Sequence, residues 1–207
     1  MTAALAQALL PLYRGYLRRL REMAARIGDE AVLREPIARD ESRGLVRHET
    51  GFVLRFDVAD SRSGETFEVH GAGPDDPAQR EVRVGAVRFL LEPGNWEELA
   101  LRCVFAGKPA GDDLAALGEL VHGWAVLAAN GGFATSGEDA VTGGGGWSGR
   151  LHSAAVRVEG ADVVAALDLG TCPPGAFGPL GDALAAFGLE RSPLDRVAIG
   201  GQKREDS

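Results

Sequence analysis

Cysteine is scarce in this sequence, which contains only Cys103 and Cys172 among its 207 residues. Two distant cysteines do not make the disulfide framework of a small secreted protein, so we expect a reducing compartment, the cytoplasm. The chain also lacks a Cys-x-x-Cys pair, and its 4 histidines include no His-x-x-x-His pair. These absences predict that the protein holds no metal ion, and no motif points to a cofactor.

Long apolar runs are missing as well, although 45% of the residues are hydrophobic. No stretch is long enough to span a bilayer, and the N-terminal segment has no basic region ahead of its apolar residues. We therefore expect neither a membrane span nor a secretory signal. The hydrophobic fraction is sufficient for a compact core that needs no disulfide.

Positive charge is the third shortage, because 22 lysines and arginines face 30 acidic residues and leave a net charge of -8. Residues 1–27 hold five arginines and one glutamate, so the rest of the chain is more acidic still. Nucleic-acid phosphates require a concentrated basic surface, and we expect no nucleic-acid binding. A protein partner with a basic surface is the natural complement. The sequence does not indicate an oligomeric state.

The first 27 residues have the pattern of an amphipathic helix, whose arginines we expect to be solvated or paired. Pro11 either begins or kinks this helix. The apolar stripe consists of Leu5, Leu9, Leu12, Tyr16, Leu20, Met23 and Ile27. After a polar linker, apolar alternation over residues 52–58 predicts a strand that pairs with residues 66–70 in a β-hairpin.

Two later segments, residues 82–129 and 151–188, each have the pattern of strand, turn, strand and helix. In the first, a shift of the alternation at Gly85 and Ala86 predicts a β-bulge or a bend, and Pro93-Gly94 predicts the turn. Its helix carries Trp124 on the apolar stripe, so we predict that this tryptophan anchors the core. In the second, residues 159–162 form the turn, and Gly188 marks the helix end.

The order of these helices and strands along the chain predicts an α+β fold with a mainly antiparallel sheet and helices on one face. Two ββα units, with a last strand at Arg196–Ile199, follow the N-terminal helix and the hairpin. The predicted divisions are an N-terminal helix and linker at 1–45, an α+β domain at 46–200 with units at 82–129 and 151–199, and a disordered tail at 201–207.

The glycine-rich stretch Gly143–Arg150 satisfies Gly-x-Gly-x-x-Gly without its required context. A dinucleotide site needs a strand before this motif and a helix after it, but here a strand follows. A phosphate-binding loop would need lysine and a hydroxyl residue where the chain has Arg150 and Leu151. We interpret the stretch as part of a long connection over residues 130–150, and its function stays open.

Cys172 is the one nucleophile candidate, because it follows a strand and precedes a helix, with His152 on the neighbouring strand. A small enzyme that uses Cys172 with His152, or the acidic pair Glu138 and Asp139, is therefore the alternative hypothesis. A structural cysteine is far commoner, and we expect no catalysis.

The primary hypothesis is a non-catalytic, acidic protein-interaction module, such as a toxin-neutralising immunity protein or an adaptor. Within the connection, Glu138 and Asp139 would attract a basic partner, and Trp147 is an aromatic of the kind that anchors interfaces. We predict these three residues as partner contacts.

Overall fold

The computed structural model describes residues 2–133 and 146–201. Helix α1 spans Thr2–Ile27, α2 spans Asp113–Ala129 and α3 spans Phe177–Glu190. Short 3₁₀ turns precede β6 and α3 at Trp96–Glu98 and Pro174–Ala176. The strands of these ranges are β1 Val32–Arg34, β2 Val58–Asp60, β3 Thr66–Phe67, β4 Arg80–Val84, β5 Val87–Leu91, β6 Leu99–Phe105, β7 Ser153–Glu159, β8 Asp162–Asp168 and β9 Leu194–Gly201.

Two sheets form the β part of the molecule. The larger sheet has six strands in the order β4-β5-β9-β6-β8-β7, and the smaller has three in the order β1-β2-β3. All neighbouring strands are antiparallel except β5 and β9, which are parallel. The predicted α+β class with a mainly antiparallel sheet is confirmed.

The three helices cover one face of the six-stranded sheet. At Gly181 of α3, side chains of Leu5 from α1, Val84 from β4 and Phe89 from β5 all lie within 4 Å of the position that a β-carbon would occupy. Helix α2 joins them because the Trp124 ring lies 5.1 Å from the Phe177 ring of α3. The helices therefore share one hydrophobic core on one face of the sheet. The order of helices and strands along the sequence predicted helices on one face.

Helix α1 is continuous through Pro11, so this proline does not mark its start. The first five members of the predicted stripe are buried, whereas Met23 and Ile27 are partly buried. Gly15 permits a close approach, because a β-carbon there would overlap the side chain of Asp75. Asp75 in turn pairs with Arg19 of the same helix, and Arg19 also binds Glu97 at 2.7 Å.

The prediction of a bulge or a bend within one strand at Gly85 is wrong. Val84 and Val87 pair directly, so Gly85 and Ala86 are the turn of a hairpin between β4 and β5. Gly85 has φ +58°, a left-handed conformation that glycine adopts without strain and that two-residue hairpin turns require. A bulge and a tight turn both shift the phase of the alternation, which is why the pattern did not separate them.

The two proposed ββα units differ in how their strands pair. Strands β7 and β8 form a hairpin with Gly160 and Ala161 as its turn. In the first unit, β9 lies between β5 and β6, so Pro93-Gly94 does not connect neighbouring strands. The internal repeat is therefore not confirmed. Gly188 also lies inside α3, which continues to Glu190.

The segment predicted as a strand at residues 52–58 is mostly irregular. Regular pairing begins only at Val58, and the preceding residues belong to an antiparallel ribbon, residues 36–56, held by isolated bridges such as Ile37 with Arg55 and Arg47 with Val53. The segment interpreted as a polar linker contains β1 and the first part of this ribbon. No helix in the described ranges is both long and apolar enough to cross a bilayer.

Trp124→Ala should lower the free energy of unfolding by about 3–5 kcal/mol, because it removes a large buried aromatic. The Trp124 side chain is only 5% exposed, and its indole N–H donates to the Ala176 carbonyl at 2.9 Å. Leu127→Ala, on the same helix but 57% exposed, is the control and should cost less than about 0.5 kcal/mol. Urea unfolding measures both variants, and equal midpoints would contradict this assignment of the buried helix face.

Candidate functional site

A buried histidine surrounded by carboxylates lies where the two sheets meet. His152 immediately precedes β7, and its Nε2 lies 3.1 Å from an oxygen of Glu35, which follows β1. Its Nδ1 lies 3.7 Å from Asp57, just before β2, and 3.6 Å from Asp168, at the end of β8. We call these four residues the His152 cluster. Each sheet supplies part of it.

Glu35 is held by several donors besides the imidazole. The Thr171 hydroxyl donates to Glu35 at 2.6 Å, and the backbone N–H of Ser148 donates to its other oxygen. Glu35 itself has φ 47°, a left-handed conformation that costs a non-glycine residue roughly 1–2 kcal/mol. Gly170 is required beside it, because a β-carbon there would overlap the His152 ring.

Asp57 is satisfied from the side of α1. The Tyr16 hydroxyl donates to one of its oxygens, and the backbone N–H of Val69 donates to the other at 2.6 Å. Burial, together with the charge of Asp57, raises the pKa of Tyr16 well above its usual value, so the phenol keeps its proton. Buried polar atoms without partners are costly, and these donors remove that cost for Asp57.

The protonation states of His152 and Glu35 depend on the competition between burial and their interactions with neighbouring charged and polar groups. Burial alone would lower the pKa of His152, but the surrounding carboxylates outweigh it and raise the pKa to about 10. Burial would likewise raise the pKa of Glu35, but His152, Thr171 and Ser148 lower it to about 2. At neutral pH, the cluster thus contains a buried imidazolium and ionised Glu35.

Cys172 does not contact this histidine. Its thiol is fully buried and lies 4.0 Å from the Pro173 carbonyl, and within the described residues the side-chain partners of His152 are carboxylates. Burial, together with the charge of Glu35, raises the pKa of Cys172 to about 12. A nucleophilic cysteine needs a thiolate, so this geometry favours the structural interpretation of Cys172.

Of the three predicted partner contacts, Trp147 lies within the described residues. Glu138 and Asp139 lie outside the described residues, so their predicted role stays a prediction. Trp147 is half-buried against the core, and the guanidinium carbon of Arg34 lies 5.6 Å from its ring centroid.

The described end of the glycine-rich stretch donates a backbone hydrogen bond to the buried carboxylate of Glu35. The backbone N–H of Ser148 donates to Glu35, and that of Gly149 donates to the Thr171 hydroxyl at 2.9 Å. Gly149 has φ +67°, in the left-handed region. This part of the stretch therefore orients the His152 cluster, a role that its sequence motif did not indicate.

An acidic groove of about 280 Å³ lies beside the cluster, at the β7 end of the six-stranded sheet. Its carboxylates come from Glu49, Glu97, Glu98 and Asp168, and we call it the acidic groove. Glu97 is paired with Arg19, and Glu98 lies 3.8 Å from His70. Among the described residues, no group of histidine, cysteine and carboxylate side chains is arranged to hold a metal ion.

Comparison with known proteins gives no match. No protein-family model, no curated protein and no solved structure matches the chain. Its function must therefore be argued from the geometry.

His152 should make stability depend on pH in the alkaline range. A histidine in the unfolded chain has a pKa of about 6.5, and the pKa of His152 in the folded state is raised to about 10. Its stabilising contribution is thus complete below pH 6.5 and is lost as the pH rises through 10. We expect the free energy of unfolding to fall across this range by on the order of several kcal/mol.

His152→Gln is the comparison, because it removes the imidazole but keeps both buried thiols, whose titration is common to the two proteins. The difference between wild type and variant should shrink from pH 6.5 to pH 10 in urea-unfolding experiments. A difference that stays constant over this range would show that His152 is neutral in the folded protein.

Neither thiol should react in the native state. Burial raises the pKa of both Cys103 and Cys172 to about 12, so almost no thiolate exists at pH 8. An aromatic disulfide reagent should therefore modify the folded chain slowly and both cysteines quickly in denaturant. Rapid modification of Cys172 in the folded protein would instead support the alternative enzyme hypothesis.

Proposed function

We propose that the protein is a non-catalytic interaction module that binds a basic segment of another protein at the acidic groove. The observation that carries this proposal is the position of the groove, which lies beside β7 at an edge of the six-stranded sheet. Strand β7 is the last in the sheet order, and no described strand pairs with its outer side.

Charge is the first support. Glu49, Glu98 and Asp168 bring carboxylates to the groove, and its lining includes no lysine or arginine. The whole chain carries a net charge of -8, so a basic partner would be attracted before contact. Such attraction raises association rates more than it raises affinity.

The sheet edge is the second support. An unpaired strand edge presents backbone N–H and C=O groups, and extended segments of partner proteins bind by adding a strand there. Ser153, Ala154 and Ala155 of β7 line the groove. A segment paired with β7 could therefore extend its basic side chains over the groove.

The burial of reactive groups is the third support. Cys172 is buried and protonated, and His152 is occupied by carboxylates. Neither group is exposed for chemistry on a substrate. Toxin neutralisation and an adaptor role are the two forms that this binding activity would take, and both need a basic partner. Trp147, with Glu138 and Asp139, remains our prediction for additional partner contacts.

The test is the double variant Glu49→Gln with Glu98→Gln, compared with Glu22→Gln plus Glu30→Gln. The second pair removes the same charge from exposed positions away from the groove. Wild-type protein serves as bait, and the captured protein is identified and purified. We expect the groove variant to slow association several-fold, the control to behave as wild type, and salt to reduce the difference because exposed charges are screened over about 8–10 Å.

Two results would contradict the proposal. One is a partner with an acidic binding surface, and the other is a partner whose association rate is the same for the groove variant and the control. Circular dichroism of both double variants establishes that they are folded.

A further inference from the structure

A second cleft of the described molecule is separate from the acidic groove. It has a volume of about 460 Å³ and lies between the ribbon, residues 36–56, and the second half of α2. Leu151 and His152 also line it. Thr50 lines both cavities, so the loop that carries Thr50 separates them.

The cleft is positively charged in a protein that is negative overall. Arg47, Arg55 and Arg150 line it, and no aspartate or glutamate does. We call it the arginine cleft. Three arginines around one cavity favour an anionic occupant, and nothing in the net charge of the chain would have indicated this.

Two of these arginines donate no side-chain hydrogen bond to any residue that the structure describes. Arg47 donates to the Gly51 carbonyl at 2.7 Å. Arg55 and Arg150 are partly buried, yet neither side chain has a hydrogen bond or an ion pair within the described residues. A guanidinium has five N–H donors in a planar fork. Burial and the charge of Arg150 both lower the pKa of Arg55, so the two cations also repel each other.

A third polar group in the cleft lacks a partner. The Thr50 hydroxyl oxygen is buried and has no hydrogen bond in the described structure. The end of α2 at Ala129 and Asn130 also lines the cleft, but a helix C-terminus supplies only about half a negative charge. Glu35 attracts Arg55 at a distance without forming an ion pair. These features offset charge but supply no acceptor to the Arg55 and Arg150 guanidinium groups from the described part of the chain.

Part of the cleft wall is apolar. Ile37, Phe52 and Leu151 lie beside the arginines, and Leu45 and Val126 are 45% and 39% exposed. Exposed large apolar side chains around a polar centre are typical of ligand sites, whose volumes are usually about 300–1,000 Å³. The cleft therefore has room for a ring-sized apolar group as well as for an anion.

We propose that the arginine cleft binds a small organic anion, in which a carboxylate or phosphate accepts hydrogen bonds from Arg55 and Arg150. The apolar part of the ligand lies against Phe52, Leu45 and Val126. Arginine forks bind such oxyanions through paired, charge-assisted hydrogen bonds. This site is independent of the acidic groove and of the partner proposed for it.

Isothermal titration calorimetry with 1-naphthyl phosphate and 1-naphthoate tests the site. Inorganic phosphate and 1-naphthol are the comparisons, because each has only half of the proposed chemistry. We expect at least one naphthyl anion to bind at least about tenfold more tightly than either comparison. Arg55→Gln and Arg150→Gln should each weaken binding by about tenfold or more, as loss of a charged hydrogen-bond donor does. Arg55→Lys should have an intermediate effect, since it keeps the charge and loses the fork.

Arg14→Gln is the matched control, because it removes the same charge from an exposed position on α1. It should bind as wild type does, and so should Glu49→Gln with Glu98→Gln, which separates this proposal from the previous one. Equal binding by wild type, Arg55→Gln and Arg150→Gln would overturn the proposal, and so would equal affinity for 1-naphthyl phosphate and inorganic phosphate. Displacement of the probe by poly-glutamate at a lower carboxylate concentration than by 1-naphthoate would reassign the cleft to an acidic protein segment.

Discussion

One buried imidazolium pairs with carboxylates from both sheets, which also share one hydrophobic core. Glu35 and Asp57 flank strands of the three-stranded sheet, whereas His152 precedes β7 and Asp168 ends β8 of the six-stranded sheet. Attraction between buried charges is strong but costs much desolvation. Removing one partner would leave an uncompensated charge in the core, so we infer that the relative position of the two sheets depends on this cluster.

The cluster also connects the two candidate binding surfaces. His152 lines the arginine cleft, and Asp168 lines the acidic groove, although their side chains are 3.6 Å apart. One histidine thus separates a positive cavity from a negative one. The glycine-rich stretch that ends at Arg150 contributes to the His152 cluster and to the arginine cleft. The backbone N–H of Ser148 donates to Glu35, and Arg150 lines the cleft. Folding and binding surfaces therefore share the same few residues.

Local patterns predicted the elements but not their neighbours. The stripe that includes Leu117, Val121 and Trp124 indicated α2, because helical periodicity depends only on nearby residues. The insertion of β9 between β5 and β6 pairs Phe89 with Val197, and no local pattern encodes such a contact. The turn at Gly85 was interpreted as a bulge or a bend for a related reason. Alternation of apolar residues shows which residues share a face, but it does not show whether the chain reverses direction.

The candidate sites were less predictable than the fold. Sequence reasoning singled out His152, but as a partner of Cys172 and not of Glu35, which is 117 positions away. Asp57 lies in the segment where apolar residues alternate, and it is buried although it is charged. A buried carboxylate has no local signal because its stability depends on distant donors such as Tyr16. The arginine cleft likewise combines residues from three separate segments.

The account depends on His152 being charged, and nuclear magnetic resonance of its imidazole tests this most directly. In protein labelled with ¹⁵N at histidine, both ring nitrogens of His152 should show the shifts of a protonated imidazolium at pH 7.5. They should continue to do so until the pH approaches about 10, the raised pKa of this group. A neutral tautomer at pH 7.5, with one unprotonated ring nitrogen, would contradict the account, because the carboxylates would then not be paired with a buried cation.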